Sequence, residues 1–332
     1  MSEIVSDNLT AAECSNPLMS IDTSFRSYLN AYTRSFSNHI VGGALDYALD
    51  SDFAVRQKIQ SLSAWNKLSK SINTVDITQE AKMLFSKCNQ AGMLKYPEVY
   101  DIVRKCADRL EMALPIVFVR EDTDKKIIYS IASDIIEPCI IVTTGLIDSF
   151  TQEELQVLIG YECGKLQNNH IAYNFGCVYI SNALYRFLPV TKSYTQPVGN
   201  QVICALSEWI DYADITADRA AIICCDDPKK YSSIFANILD KGFVDFYGRE
   251  QSDVNLNKAL SYSNESRMVM SRFLKPKNDL TKAERRIVAA EEFIRSDGLY
   301  LWRKDLEKPE TGCISLQECN IRCNIISGKS TL

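Results

Sequence analysis

Two stretches of this chain concentrate side chains able to move protons or hold a cation. One is Tyr161-Glu162-Cys163-Gly164-Lys165, with His170 shortly after it. The other is Glu208-Trp209-Ile210-Asp211-Tyr212-Ala213-Asp214, followed by Asp218-Arg219. Glu162 is the natural candidate for a general base. Tyr161 and Lys165 lie one helical turn apart and share a face, whereas Cys163 is off that face. A cysteine nucleophile needs a histidine partner, and the chain has only His39 and His170. Cys163 therefore reads as a packing thiol, and His170 as a structural residue that hydrogen-bonds nearby backbone. Glu162, His170, Asp214 and Asp218 are conceivable metal ligands, but their spacing matches no metal motif.

Elements must hold these residues in place. Thr151-Gln152-Glu153-Glu154 has the form of a capping box, so a helix starts there and runs through Leu155, Leu158 and Ile159 towards Asn169. Short β-rich runs precede it at 115–120, 126–133 and 139–143. Helical spacing covers 24–72 (Phe25, Tyr28, Leu29, Tyr32), 78–90 and 95–112 (Val99, Ile102, Val103, Cys106) before the strands. After them it covers 171–187, 198–225, 228–241 opened by Pro228, 252–263 and 280–296. The sum is an α+β fold, mainly helical with a small mixed sheet next to the helix of Glu162. The expected boundaries are a disordered 1–20, a helical N-terminal region 21–94, a core 95–245, C-terminal helices 246–305 and a cysteine-containing tail 306–332. In the tail, Cys319, Ile321, Cys323 and Ile325 alternate with Asn320, Arg322 and Asn324, which predicts a strand with one buried face. Such a strand would add to a sheet edge or serve a structural edge elsewhere; a three-cysteine metal site at Cys313, Cys319 and Cys323 is another reading.

The run from Pro138 to His170, a strand, a Thr-Gly-Leu turn and a capped helix carrying a glutamate pentad, resembles the HtpX-like and CAAX-prenyl-protease-like zinc metallopeptidases, a gluzincin group. The stretch Glu208 to Ala220, with Cys225-Asp226-Asp227-Pro228 after it, resembles that family's second helix. The similarity covers roughly 95–245 and is weaker around Arg285 to Tyr300. It implies a zincin-like fold. In the family the pentad is H-E-x-x-H: its histidines bind zinc and its glutamate activates the metal-bound water.

Here Tyr161 and Lys165 stand at the two histidine positions and Asp214 at the third ligand position. Glu162 remains, with Asp218 and Arg219 of the second helix. The substrate-edge strand reads Tyr129-Ser130-Ile131, where many relatives carry Asn-Ala-aromatic. An ammonium has no lone pair to give a metal, and a phenol is a poor ligand near neutral pH. The resemblance with these departures implies a pseudopeptidase with no cofactor, Glu162 being a vestigial base, that binds a peptide or protein partner, including an active homologue. The alternative is an active metallo-endopeptidase or other hydrolase with a metal site remodelled around Glu162, His170, Asp214 and Asp218. Lys165 is expected on the face that looks at Asp214, as a structural cation among Glu162, Asp214 and Asp218.

Composition narrows the surroundings. The chain has 332 residues, 46% hydrophobic and 24% charged, enough for a real core. A net charge of −5 leaves no basic excess for a phosphate backbone, so nucleic acid is not an expected partner. Most of the 12 cysteines sit singly in apolar stretches, and the first residues are polar and acidic, without a secretory pattern. A cytoplasmic protein is expected. The most apolar stretch, Ile171 to Val190, contains Asn174, Asn182 and Arg186, so no membrane span is expected.

Overall fold

The computed structural model describes residues 38–73, 77–133, 136–177, 196–243, 254–276 and 279–328. The expected disorder of 1–20, the first part of the helix 24–72 and most of the stretch 178–190 lie outside these residues. The elements belong to one compact unit, Ile40–Leu332.

A two-stranded hairpin, β1 (Ile40–Val41) and β2 (Ala44–Leu45), turns on Gly42 and Gly43, both at positive φ, the backbone that a two-residue hairpin loop demands. Helices α1 (Asp50–Ser61) and α2 (Ser63–Ser71) follow. The sequence predicts one helix here, and the chain breaks at Leu62, whose backbone is extended. Serines flank the break, and Ser61 Oγ bonds the Lys58 carbonyl, the local competition that makes serine a weak helix former. Next come α3 (Ile77–Lys87), β3 (Asn89–Gln90) and α4 (Pro97–Arg109). The predicted face of α4, Val99, Ile102, Val103 and Cys106, is buried.

The sheet continues with β4 (Ile116–Arg120), β5 (Ile128–Ser133) and β6 (Ile136–Thr143), in the order β3-β4-β6-β5. β4 and β6 are parallel and the other pairs antiparallel, so the sheet is mixed. The central strand β6 is buried over its last five residues, which explains its continuous apolar run. On β5 successive side chains reach different helices. Tyr129 bonds Glu80 of α3, and Ser130 bonds Glu162 on the helix after the sheet. Alternation along a strand thus sets helices against both faces.

A short helix α5 (Thr144–Ser149) leads to α6 (Gln152–Gln167), which begins with the predicted capping box: Thr151 accepts from the Glu154 amide and Glu154 from the Thr151 amide. Residues 171–177 are helical. Then come α7 (Gln196–Cys224), a 3-10 turn at Pro228–Lys230, α8 (Tyr231–Asp240), α9 (Leu256–Arg267), α10 (Lys282–Ile294) with its own capping box, and α11 (Asp297–Trp302). The structure is mainly helical with a small mixed sheet, as the sequence predicts. No helix among the described residues is long and apolar enough to cross a membrane.

The tail corrects the sequence reading: Leu316–Ile326 is a helix, α12, and not a strand. Four of its five buried positions, Cys319, Arg322, Cys323 and Ile326, fall at i, i+3, i+4 and i+7, and Ser315 caps it by accepting from the Glu318 amide. Alternation over seven residues satisfied both periods, and Ile321, which a strand would have buried, is exposed.

Helix α6 packs tightly on α7. A Cβ added at Gly164 would sit 2.4 Å from the Ala220 Cβ, and one at Gly160 would sit 2.8 Å from the Cys224 Cβ and 3.0 Å from the Ala221 Cα. Gly164→Ala should therefore destabilise the fold by about 1–3 kcal/mol, overpacking outweighing the better helix propensity of alanine. The urea midpoint measures this, and adding Ala220→Gly should recover part of the loss.

Candidate functional site

Because glycines bring α6 close to α7, the neighbouring side chains of the pentad meet α7 directly. Tyr161 Oη donates to Asp214 Oδ1 at 2.6 Å. Burial, then the Asp214 charge, pushes the phenol well above its ordinary pKa, so it stays protonated and donates. Lys165 is buried, only 4% exposed, and its Nζ donates to Glu162 Oε1 at 2.8 Å. Glu162 is 2% exposed, and its second oxygen accepts from Ser130 Oγ of β5 at 2.6 Å. Both oxygens of the candidate base are thus engaged inside the protein. The sequence reading turns Lys165 towards Asp214; the carboxylate the structure gives it is Glu162, one turn back on its own helix.

The acids of α7 have a different cation. Arg286 of α10 meets Asp218 in a fork, Nε to Oδ2 at 2.8 Å and Nη2 to Oδ1 at 2.6 Å, and Tyr231 Oη donates to Asp218 Oδ1 at 2.7 Å. The Arg286 guanidinium also lies 5.2 Å from the Tyr161 ring centroid, as does Lys165 Nζ. Arg286 is the functional-site residue that the sequence reading missed. Its only signals were the helical pattern of 280–296 and the weak resemblance near Arg285. Arg219, the neighbour of Asp218, points elsewhere, to Tyr47 O, Asn320 and two cysteines of α12.

His170 does not meet backbone as its position suggested. Nε2 lies 2.9 Å from Asp52 Oδ2 on α1, and Asp52 Oδ1 accepts from Trp209 Nε1 at 2.7 Å and Arg56 Nε at 3.0 Å. Burial pushes the His170 pKa down against the pull of the Asp52 charge, and Nε2–H donates to the Asp52 carboxylate. Glu162, His170, Asp214 and Asp218 therefore do not converge: Glu162 faces Lys165 and Ser130, Asp214 faces Tyr161, Asp218 faces Arg286 and Tyr231, and His170 faces Asp52. Among the described residues no group of three or more His, Cys, Asp or Glu could hold a metal, and Cys313 is not joined to Cys319 and Cys323. Cys163 is a buried packing thiol whose pKa burial drives well up.

The predicted edge strand is placed next to this centre and is buried: Tyr129, Ser130 and Ile131 are 6%, 4% and 0% exposed. Its far end opens into a cavity of about 770 Å³, lined by Ala132 and Ser133 of β5, Asn66, Asn169 and the stacked pair Trp65 and Tyr173.

Comparison with known proteins agrees with the resemblance. The profile of peptidase family M48 matches residues 94–264, just over half of the chain, and the chain belongs to that family. It is 27% identical over 174 residues to the plastoglobule-localized metallopeptidase 48 of Arabidopsis thaliana chloroplasts, covering 51% of this chain and 47% of that protein. It is 28% identical over 105 residues to a protease HtpX homolog of Streptococcus gordonii, covering 32% of this chain and 35% of that one. The chain thus spans less than half of each of these relatives. No solved structure matches.

These findings overturn the expectation that no cofactor belongs to this chain: membership in a metallopeptidase family implies zinc. The arrangement at the pentad does not itself fit that ion. It offers a protonated phenol, an ammonium and one carboxylate that already accepts from the phenol, in place of imidazole nitrogens.

The Asp52 cluster gives a pH prediction. Burial pushes the Asp52 carboxyl up, but His170, Arg56 and the Trp209 hydrogen bond outweigh it and hold the pKa down at about 2. Against the ordinary ~3.9, this corresponds to roughly 2–3 kcal/mol of stability, present above pH ~4 and lost as pH falls towards 2. The urea midpoint of the native chain should fall across that window, and Asp52→Asn should be less stable at neutral pH with a flatter profile.

Proposed function

We propose that this M48 family member acts as a pseudopeptidase that binds a peptide or protein segment instead of cleaving it. The observation that carries the reading is the engagement of Glu162. A general base must be free to take a proton from an attacking water, yet one oxygen of this carboxylate accepts from Lys165 and the other from Ser130, out of solvent. In this reading Glu162 is a vestigial base, Tyr161, Lys165 and Asp214 are former metal-ligand positions, and Asp218 with Arg219 are their supporting residues. A zincin-like fold belongs to the same proposal, supported by α6 lying beside β5 and packed on α7.

Binding is assigned to the cavity at the end of β5, because the strand is buried before it. The cavity's size suits a few residues of a partner chain, and its amides, hydroxyl and aromatic pair offer hydrogen bonds together with apolar contact. An active homologue of the same family is one such partner. A cytoplasmic setting is part of the proposal, supported by seven buried cysteines that carry free thiols.

Incubation with an unfolded protein substrate in the presence of zinc should yield no fragments, while the chain should retain peptides from a random library. Ala132→Arg, at the cavity wall, should reduce that retention at least about tenfold through steric and charge mismatch. Fragments that disappear in Glu162→Gln would overturn the reading in favour of a working hydrolase.

A further inference from the structure

Arg219 is fully buried, and a guanidinium does not shed its proton in a protein. A buried cation needs a counter-charge. Among the described residues its polar partners are the Tyr47 carbonyl at 3.0 Å, the Asn320 amide oxygen at 2.8 Å, and the sulfurs of Cys319 at 3.5 Å and Cys323 at 3.4 Å; its Nε has none. No carboxylate is among them. The Phe293 ring, 5.1 Å from the guanidinium carbon, adds attraction but no charge. The two cysteines lie one turn apart on α12, both fully buried, with sulfurs 3.9 Å from each other. Two thiols and one guanidinium therefore share a closed compartment between α7 and the C-terminal helix.

We infer that Cys323 is a thiolate, and that the Arg219–Cys323 ion pair is the latch fastening α12 to α7. Arg219 Nη2 and the Cys319 thiol both donate to the Cys323 sulfur, which spreads one negative charge over two donors. Reading Cys323 as a neutral donor to the Ala289 carbonyl, 3.8 Å away, leaves the guanidinium without an anion. The charged and titratable groups around the pair are few. Cys319 and Arg219 favour the thiolate, Glu292 of α10 opposes it, and Asp50 of α1 acts at longer range on Arg219. The balance holds the Cys323 thiol below its ordinary pKa, with the Cys319 hydrogen bond the largest cause, and pushes Cys319 well up. A depressed acid stabilises the fold most above its unfolded pKa of about 8.5, and that contribution is lost as pH falls through the folded value. The latch is thus acid-sensitive.

The test is the ultraviolet thiolate absorbance of the full-length chain with its thiols reduced. At neutral pH the native protein should show one thiolate equivalent that Cys323→Ser lacks, and that should titrate away on acidification. Cys323→Asp, which restores an anion, should have a higher urea midpoint than Cys323→Ser. Should Cys323→Ser fail to fold, the native chain carries the test, because its neutral-pH thiolate absorbance should fall on unfolding in denaturant. Equal thiolate absorbance in native and Cys323→Ser proteins, no fall on unfolding, or a Cys323→Asp variant no more stable than the serine variant would each overturn the inference.

Discussion

The contact on which the rest of the site depends is the approach of α6 to α7 at Gly160 and Gly164. Without side chains at those positions, the backbone of α6 rests on Ala217, Ala220, Ala221 and Cys224. Tyr161 and Lys165 each follow one of these glycines in sequence, so the same close approach brings the Tyr161 hydroxyl to Asp214. It also leaves Glu162 turned to the sheet, where Ser130 of β5 reaches it. A wider separation would put solvent between these groups, and in water such pairs contribute about 0–1 kcal/mol each.

Within that frame, charge is matched pair by pair. Asp218 takes Arg286, Asp52 takes Arg56 and the His170 hydrogen bond, and Glu162 takes Lys165. Each carboxylate is buried, and removing one partner of such a pair typically costs about 3–5 kcal/mol. The networks also tie distant elements together: α1 to α7 through Trp209, α7 to α8 through Tyr231, and α7 to α10 through Arg286. Tyr161, Glu162 and Lys165 are each engaged in internal pairing. That is the physical basis for reading the chain as a binder.

Much of this architecture was legible beforehand. The capping box at Thr151, the face of α4 and the β-rich runs each depend on local chemistry, and each element appears within a few residues of its expected place. The centre was legible where residues are close in sequence, as with Tyr161, Glu162 and Lys165. The partners that complete it come from far along the chain. Asp52 reaches His170 across 118 residues and Arg286 reaches Asp218 across 68, and no local pattern encodes such pairings. The tail failed for another reason. Seven residues of alternating polarity fit a strand, but the burial that decided the outcome follows the helical spacing of Cys319, Arg322, Cys323 and Ile326.

Lys165 holds Glu162 through one buried contact, whose energy can be measured in isolation. A double-mutant cycle with Lys165→Met and Glu162→Gln, read from urea unfolding at neutral pH, removes each partner alone and then both. The coupling energy should be about 2 kcal/mol or more, the double variant being more stable than the sum of the single losses implies. Additive single effects, with a coupling below about 0.5 kcal/mol, would contradict it and free Glu162 for another role.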